Sequence, residues 1–311
     1  MRGASWLAPG PASRMNPPAR EARRKLNLMD APPPLNIPGL LRQFDLHPDK
    51  RLGQNFLVDE SALRKIAEIA EIAPQDVVLE IGPGLGSLTR HLAHKARQVV
   101  TVELDERLIP ALRHVLAQHP NVRVIHGDIL AQDIRELIQA PSYLVVANIP
   151  YYITSHLIRH LLEAPQQPRR LVLTVQAEVA ERICAEPGKL SLLALSVQVY
   201  GRPKVRARLA AEAFLPAPKV ASAVVRVDLE DAPHIPAGQL ELFFQLAKAG
   251  FSQKRKTIKN SLAGGMRWTP GQCEAILKAA GIQPQRRAET FALSEWAQLV
   301  QAVKQAREAT P

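Results

Sequence analysis

Short runs of apolar residues alternate with stretches of helical spacing from about residue 74 to residue 186. Runs that are almost continuously Val, Ile and Leu are typical of strands buried on both faces of a parallel sheet. The alternation therefore predicts an α/β fold built on such a sheet. The predicted strands cover residues 77–81, 98–104, 122–125, 143–147 and 171–175, and the predicted helices cover residues 87–96, 107–118, 155–163 and 177–186.

The pattern differs on either side of this region. Before it, Asp59 is a predicted helix N-cap, because apolar residues recur at helical spacing after it. After it, residues 197–209 and 221–229 alternate between apolar and polar, as half-buried strands do. We expect these two strands to end the sheet as an antiparallel hairpin joined by a long Pro-rich loop. The apolar face of the helix after Asp59 would contain Leu63, Ile66, Ala67 and Ala70.

The chain is expected to have three parts. Residues 1–45 are rich in Pro, Ala and Arg and lack a sustained apolar period, which predicts a disordered N-terminal extension. Residues 46–232 would form the α/β domain, and residues 233–311, which lack strand patterns, a small all-helical domain. The basic segment 14–25 resembles a transit peptide, and a misassigned start is the alternative.

The composition narrows the classes of function. A formal net charge of +11 over 311 residues predicts a polyanionic partner, unless the basic residues are simply dispersed over the surface. No apolar run approaches the ~20 residues of a membrane span, so a soluble protein without a membrane partner is expected. Cys184 and Cys273 lie far apart without metal-site spacing. Reduced thiols in a cytoplasmic protein are the simplest explanation.

The sequence LEIGPGLGSLT, residues 79–89, follows the first predicted strand and opens the next helix. Gly82, Gly84 and Gly86 allow the backbone to turn tightly and to approach a ligand, and the helix N-terminus supplies unpaired N–H groups. Ser87 occupies the position of the third glycine in the dinucleotide pattern Gly-x-Gly-x-x-Gly. A nicotinamide or flavin site is therefore disfavoured.

Carboxylates follow the next two predicted strands. Glu103 lies 21 residues after Gly82, a separation at which an acid reaches the two hydroxyl groups of a ribose. Asp128 is placed to accept from an adenine amine, and a helix N-cap is its alternative role. Because parallel strands share one carboxyl edge, Gly82, Glu103 and Asp128 should line one crevice. An adenosine without a pyrophosphate fits them, which favours S-adenosylmethionine over NAD.

The fourth strand ends in the sequence VANIPYY, residues 146–152. Asn148 carries an acceptor and a donor, while Pro150 has no N–H and leaves a neighbouring carbonyl available. Two such acceptors can hold the exocyclic amine of a heteroaromatic base, with Tyr151 against the ring. Taken alone, a turn that closes the strand, with Tyr151 and Tyr152 at its boundary, is the simpler interpretation.

These motifs occur together in a known order. EIGPGLGSLT, VELD, GD and NIPYYI, with RLGQNFLVD upstream and AFLPAPKVASAVVRV downstream, resemble the adenine-N6 dimethyltransferases of ribosomal RNA. The resemblance extends from about residue 50 to residue 300 and implies a class I, Rossmann-like methyltransferase that uses S-adenosylmethionine. It implies cofactor contacts at Asn55, Leu57, Gly82, Glu103, Asp128 and Asn148.

The same resemblance implies a set of catalytic residues. Asn148 and Pro150 would hold the adenine amine, while Tyr151 and Phe214 would sandwich an adenine flipped out of its RNA. Phe214 as an ordinary core aromatic is the alternative. The prolines that follow it favour a rigid loop rather than the interior of a strand.

Two basic segments indicate where RNA would bind. Four basic residues recur with period two from Arg202 to Arg208, which predicts that all four lie on one face of a strand. The sequence FSQKRKTIKNSL, residues 251–262, contains four more and no acid, although a solvated helix face is the alternative.

The second segment also resembles one branch of the family. FSQKRKTIKNSL is similar to the housekeeping enzyme that dimethylates two adjacent adenines in the 3′-terminal hairpin of 16S ribosomal RNA. The expected partner is 16S ribosomal RNA within an immature small ribosomal subunit, and a monomer is expected. The alternatives are a large-subunit (23S) enzyme that confers antibiotic resistance, and a non-catalytic nucleic-acid binder like some mitochondrial relatives.

Overall fold

The computed structural model describes residues 32–150, 153–253 and 255–308. Tyr151, Tyr152, Lys254 and most of the predicted N-terminal extension lie outside these ranges. In chain order the elements are α1 (Ile37–Gln43), β1 (Phe56–Leu57), α2 (Glu60–Ile69), β2 (Val77–Ile81), α3 (Ser87–Ala93), β3 (Gln98–Glu103), α4 (Ile109–Leu116), β4 (Val122–His126), α5 (Ile134–Leu137), β5 (Leu144–Asn148), α6 (Thr154–Leu162), β6 (Arg170–Gln176), α7 (Ala177–Ile183), α8 (Leu192–Gln198), β7 (Gly201–Leu209), β8 (Phe214–Leu215), β9 (Ser222–Leu229), α9 (Leu240–Phe251), α10 (Ile258–Met266), α11 (Pro270–Ala279) and α12 (Leu293–Glu308).

The main sheet of the described residues has the strand order β4-β3-β2-β5-β6-β9-β7. The strands from β4 to β6 in this order are parallel, while β9 runs antiparallel to β6 and β7 antiparallel to β9. Parallel neighbours need crossover connections, and helices α3 to α6 supply them. The predicted parallel sheet and its antiparallel end are both confirmed.

Both faces of the central strands are buried. In β2, Val77, Leu79 and Ile81 pack into the apolar core on one face, and Val78 packs into the core on the other. Strands β3 and β5 repeat this alternation. Because neither face meets water, these strands have continuous apolar sequences instead of alternating ones.

The helix predicted after Asp59 is confirmed as α2. The side chain of Asp59 accepts the backbone N–H of Ala62 at 2.8 Å, which satisfies one free donor of the first turn. Leu63 and Ile66 on the inward face are buried in the core beneath the sheet. The cap fixes where the helix begins, and the apolar stripe fixes which side faces the sheet.

The predicted disorder is wrong for the end of the N-terminal extension. Residues Ile37–Gln43 form α1, in which Asn36 is the N-cap and accepts the N–H of Gly39 at 3.0 Å. Ile37 is 1% exposed and packs in a small apolar cluster with Phe56. The Pro-rich composition around this segment obscured a short helix with an ordinary cap and apolar spacing.

The strand predicted for residues 197–209 is also partly wrong. Helix α8 continues to Gln198, and β7 begins only at Gly201. Ser191 caps the helix by accepting the N–H of Ala194 at 3.2 Å. Apolar and polar residues alternate across this junction, and this pattern led to the prediction of one long strand.

The basic residues of β7 do not share one face, contrary to prediction. A β-bulge interrupts the pairing of β7 with β9 between Val205 and Ala207. The extra residue shifts the alternation of side chains by one position. Arg202 therefore lies on one face of β7 and Arg208 on the other, where it pairs with Glu181 of α7 at 2.9 Å.

Trp296 of α12 is fully buried and packs against aromatic rings of α9 and of the segment before α12. The centroid of its ring lies 5.4 Å from that of Phe291 and 5.9 Å from that of Phe251. This cluster belongs to the same apolar core as one face of the sheet. The predicted helical C-terminal region is confirmed, whereas a domain boundary between residues 232 and 233 stays a prediction.

Of the helices in the described ranges, none combines the length and apolar composition that a membrane span needs.

The contact between α9 and α10 generates a prediction with a control in the same helix. A Cβ added to Gly265 would lie 2.5 Å from the Cβ of Ala249, while one added to Gly264 would meet nothing within 4 Å. We expect Gly265→Ala to lower the free energy of unfolding by about 1 to 3 kcal/mol, because overpacking strains the interface. Gly264→Ala should raise it by up to about 1 kcal/mol through helix propensity. Urea denaturation measures both, and equal effects would contradict the close contact.

Candidate active site

Strands β4, β3, β2 and β5 are neighbours in the sheet and end at the same edge. The loops that follow them, together with the segment around β1, enclose a cavity of about 350 Å³. The predicted site residues within the described ranges all line this cavity, and their roles stay predictions: Asn55, Leu57, Gly82, Glu103, Asp128, Asn148, Pro150 and Phe214. The predicted residue Tyr151 lies outside the described ranges.

The glycine loop after β2 forms one wall of the cavity. Gly82 and Gly84 have φ angles of 68° and 58°, a left-handed conformation that glycine adopts without a steric penalty. A Cβ on Gly84 would also lie 2.9 Å from the ring of Phe56. The loop therefore packs directly against the segment that contains β1, and a side chain at this position would push the two apart.

Glu103 is the last residue of β3 and is 6% exposed. Its Oε2 accepts the N–H of Gly84 at 3.0 Å, and its Oε1 accepts the N–H of Asp105 at 2.9 Å. Burial raises the pKa of Glu103, although these hydrogen bonds favour the ionised form. Each oxygen retains a second lone pair, so the fixed carboxylate can accept two more hydrogen bonds, as from a diol.

Asp128 follows β4 and acts as an N-cap, which was the alternative role predicted for it. Its Oδ1 accepts the N–H of Leu130 at 2.9 Å and caps the short 3₁₀ turn Ile129–Ala131. Asp128 also borders the cavity. The capping role and a ligand-binding role are therefore compatible.

Asn148 ends β5 and contacts the opposite wall of the cavity. Its Nδ2 donates to the backbone oxygen of Asn55 at 3.1 Å, which leaves the side-chain oxygen as the acceptor end of the amide. The carbonyl oxygen of Pro150 accepts the N–H of Ile153 at 3.2 Å. The end of β5 therefore places the side-chain oxygen of Asn148 at the cavity in a fixed orientation, while the Pro150 oxygen is engaged within the loop.

Phe214 lies in a two-residue strand, β8, which pairs antiparallel with β1 so that Phe214 is opposite Leu57. The sequence favoured a loop at this position, and the pairing was not predicted. Phe214 is 4% exposed and packs in the apolar core on one face of the sheet, as the core-aromatic alternative requires. Because it also lines the cavity, contact with a ligand remains compatible with this packing.

Sequence reasoning missed two polar residues of the cavity wall, Glu80 and Gln54. Glu80 lies in β2 and is 1% exposed. Burial raises its pKa to about 8, and the hydroxyl groups of Thr89 and Thr101 offset only part of this effect. A signal was available, because an acid within a run of Val, Leu and Ile is costly unless it has a partner or a function.

The basic segment FSQKRKTIKNSL spans the junction between two helices. Helix α9 ends at Phe251 and α10 begins at Ile258, so the exposed Arg255 and Lys256 lie in a loop and not on a helix face. Lys259 forms an ion pair with Glu274 at 2.5 Å, and its phosphate-binding role stays a prediction. A groove of about 680 Å³ beside this loop contains basic residues that were not predicted to act together: Arg182, Lys189, Lys248, Lys256 and Arg287.

The order of the strands, the antiparallel edge and the cavity at the carboxyl ends of the parallel strands define a class I methyltransferase fold. The family of ribosomal RNA adenine dimethylases matches residues 47–305 of the chain. The protein belongs to this family.

Individual relatives agree with this assignment. "Ribosomal RNA small subunit methyltransferase A" of Dehalococcoides mccartyi is 43% identical over 84% of this chain and 90% of its own. The protein of the same name from Moorella thermoacetica is 42% identical over 84% and 94% of the two chains. The solved 23S rRNA methyltransferase ErmE is 32% identical with a TM-score of 0.66, over 80% of this chain and all of its own. A dimethyladenosine transferase from Plasmodium falciparum, 24% identical with a TM-score of 0.70 over 80% and 98%, shares the fold.

Glu80 should make the free energy of unfolding depend on pH. The unfolded chain ionises this carboxyl near its ordinary pKa of 4.5, whereas the folded protein keeps it protonated up to about pH 8. The contribution of this carboxyl to the free energy of unfolding is therefore fully present below pH 4.5 and is lost as the pH rises to about 8. Glu80→Gln cannot ionise, so its stability relative to wild type should rise over this window by on the order of 5 kcal/mol.

Urea denaturation at several pH values between these limits measures the difference. Glu68→Gln is the matched control, because Glu68 lies on α2 with its side chain 53% exposed. Its profile should follow that of wild type. Parallel profiles for wild type and Glu80→Gln would contradict the burial of a titrating carboxyl.

Proposed function

We propose that the protein transfers methyl groups from S-adenosylmethionine to N6 of two adjacent adenines in the 3′-terminal hairpin of 16S ribosomal RNA. Its substrate would be an immature small ribosomal subunit in the cytoplasm, and it would act as a monomer. The observation that carries the proposal is one cavity in which Gly82, Glu103 and Asp128, from three parallel strand ends, meet Asn148 and Pro150.

The cavity suits S-adenosylmethionine by the chemistry of its walls. Glu103 offers two fixed acceptor lone pairs for a ribose diol, and Asp128 offers a carboxylate for an adenine amine. The Oε2 of Glu80 is buried without a hydrogen-bond partner in the described part of the chain, and a polar group of the ligand would satisfy it. Asn55 and Leu57 would close the opposite side.

The bound cofactor would supply a methyl group on a sulfonium, which is already an activated donor. The adenine amine is a poor nucleophile, because its lone pair is conjugated with the ring. The side-chain oxygen of Asn148 and a backbone carbonyl would accept hydrogen bonds from its two N–H groups, favour a pyramidal nitrogen and stabilise the positive charge that develops. Ile149 is the better source of that carbonyl, because the Pro150 oxygen already accepts from Ile153.

The target adenine must leave its stack before its amine can reach the cavity. Phe214 would lie against one face of the ring and Tyr151 against the other, and such stacking recovers about 1 to 3 kcal/mol per base. Holding the amine in line with the methyl group would supply much of the remaining rate acceleration.

Phosphate contacts would come from the loop with Arg255 and Lys256 and from the basic groove beside it. Such contacts provide affinity without reading sequence. Specificity for the target adenine would then depend on how the hairpin fits the protein surface and how the base fits the cavity.

A small-subunit substrate is favoured over a large-subunit one by two observations. The curated relatives named for the small subunit are up to 44% identical to this chain, against 32% for ErmE. The segment FSQKRKTIKNSL also resembles the small-subunit branch of the family.

Methyl transfer from labelled S-adenosylmethionine tests the proposal. Immature small subunits with unmodified RNA should incorporate label as N6,N6-dimethyladenosine in the 3′-terminal hairpin, and large-subunit RNA should not. Gly82→Trp, which would fill the cofactor cavity, should abolish transfer while leaving RNA binding intact. Incorporation into large-subunit RNA would overturn the substrate, and a wild-type protein that binds RNA without transferring label would support the non-catalytic alternative.

Phe214→Leu tests the stacking role with little change in side-chain volume. Loss of the aromatic face should lower kcat/KM for RNA by roughly 5- to 150-fold, because about 1 to 3 kcal/mol of stacking is lost. Phe243→Leu, a change of the same kind at a fully buried residue of α9, is the control and should retain methyl transfer. Thermal denaturation of both variants separates lost stacking from lost stability. Equal activity of the two would contradict the stacking role.

A further inference from the structure

We propose that Gln54 and Asp105 are positioning residues that latch the segment Asp49–Leu57 across the cofactor cavity. This inference rests on the proposed use of S-adenosylmethionine and concerns how its site is closed. Residues 52–57 line one side of the cavity, yet no strand of the main sheet contains them. Pairing with β8 holds Phe56 and Leu57, whereas residues 52–55 belong to no strand, so side-chain contacts can contribute to holding them there.

Gln54 makes the central contact of this latch. Its Nε2 donates to Oδ2 of Asp105 at 2.7 Å, across 51 residues of sequence, and its Oε1 accepts the N–H of Asp49 at 2.8 Å. One amide group thus fixes the fold of the segment and attaches it to the residues after β3. A hydrogen bond to a charged, poorly hydrated carboxylate is stronger than a neutral one in water.

Asp105 is buried and fully engaged. Its side chain is 5% exposed, and Arg107 donates to both of its oxygens at 2.8 and 2.7 Å, which lowers the pKa of Asp105. The same guanidinium lies 3.5 Å from the carboxylate of Asp49, so it forms a second link to the segment. The charged pair of Asp105 and Arg107 therefore contacts the segment at two residues, Gln54 and Asp49.

The latch is connected to the proposed ribose carboxylate. The backbone N–H of Asp105 donates to Oε1 of Glu103, while its side chain holds Gln54. One residue thus positions the ligand-binding carboxylate and the segment that faces it. Displacement of Asp105 would disturb both walls of the cavity together.

Elsewhere the chain contains the same local motif without a latch. Asp133 caps a turn, accepts the N–H of Arg135 and forms a bidentate pair with its guanidinium, as Asp105 does with Arg107. The side chain of Asp133 is 36% exposed, and its hydrogen bonds in the described ranges stay within this motif. An Asp-x-Arg pair alone is therefore a local cap, and the contact with Gln54 distinguishes Asp105.

The test compares the full-length variants Asp105→Asn, Gln54→Glu and the matched control Asp133→Asn. Calorimetry with S-adenosylhomocysteine measures cofactor affinity, and hydrogen exchange measures opening of residues 49–57 without ligand. Asp105→Asn removes the charge to which Gln54 donates, and Gln54→Glu places a second carboxylate against Asp105, so each should weaken affinity about tenfold or more. Both should speed exchange in this segment and raise KM for S-adenosylmethionine more than they lower kcat. Asp133→Asn should match wild type.

Unchanged exchange at residues 49–57 in both latch variants would overturn the proposal. So would weaker affinity without faster exchange, because Asp105 would then act only through Glu103. If wild type does not bind S-adenosylhomocysteine, the proposed cofactor fails, while the exchange of the unliganded segment still decides whether the latch exists.

Discussion

The parallel pairing of β2 with both of its neighbours is the constraint on which the site depends. Ile81 lies opposite Val102 on one side and Ala147 on the other. A change of register by one residue would turn every side chain of the strand to the opposite face of the sheet. Because pairing continues to the ends of the strands, the residues that follow also lie side by side. They are Gly82, Glu103 and Asn148.

Burial at this edge gives the carboxylates their properties. Desolvation raises the pKa of both Glu80 and Glu103, since the charged form loses its water. Glu103 is compensated by two backbone N–H groups, whereas the Oε2 of Glu80 has no hydrogen-bond partner in the described part of the chain. Asp105 keeps a low pKa because Arg107 neutralises it. A buried site can therefore hold fixed acceptors for a ligand even though some of its carboxyl groups are uncharged.

The sequence was most informative where one local rule operates. Continuous apolar runs located the parallel strands, and the cap at Asp59 located α2, because burial and capping leave direct marks on the residues. It failed where two rules compete. Helix α1 lies in Pro-rich surroundings, and the β-bulge in β7 breaks a perfect period of two without any change in residue type. The two-residue pairing of β8 with β1 left no pattern long enough to detect.

By itself the sequence determined the fold class and the set of residues at the carboxyl edge, because spacing along the chain fixes which strand each residue ends. Only the tertiary structure decided which groups meet across the cavity. Gln54 reaches Asp105, Asn148 reaches Asn55, and Phe214 packs in the core, all over separations that no local pattern encodes. Such contacts depend on how the β1 segment and the long loop after β7 pack against the sheet. That packing is a sum of many weak contacts between residues distant in sequence.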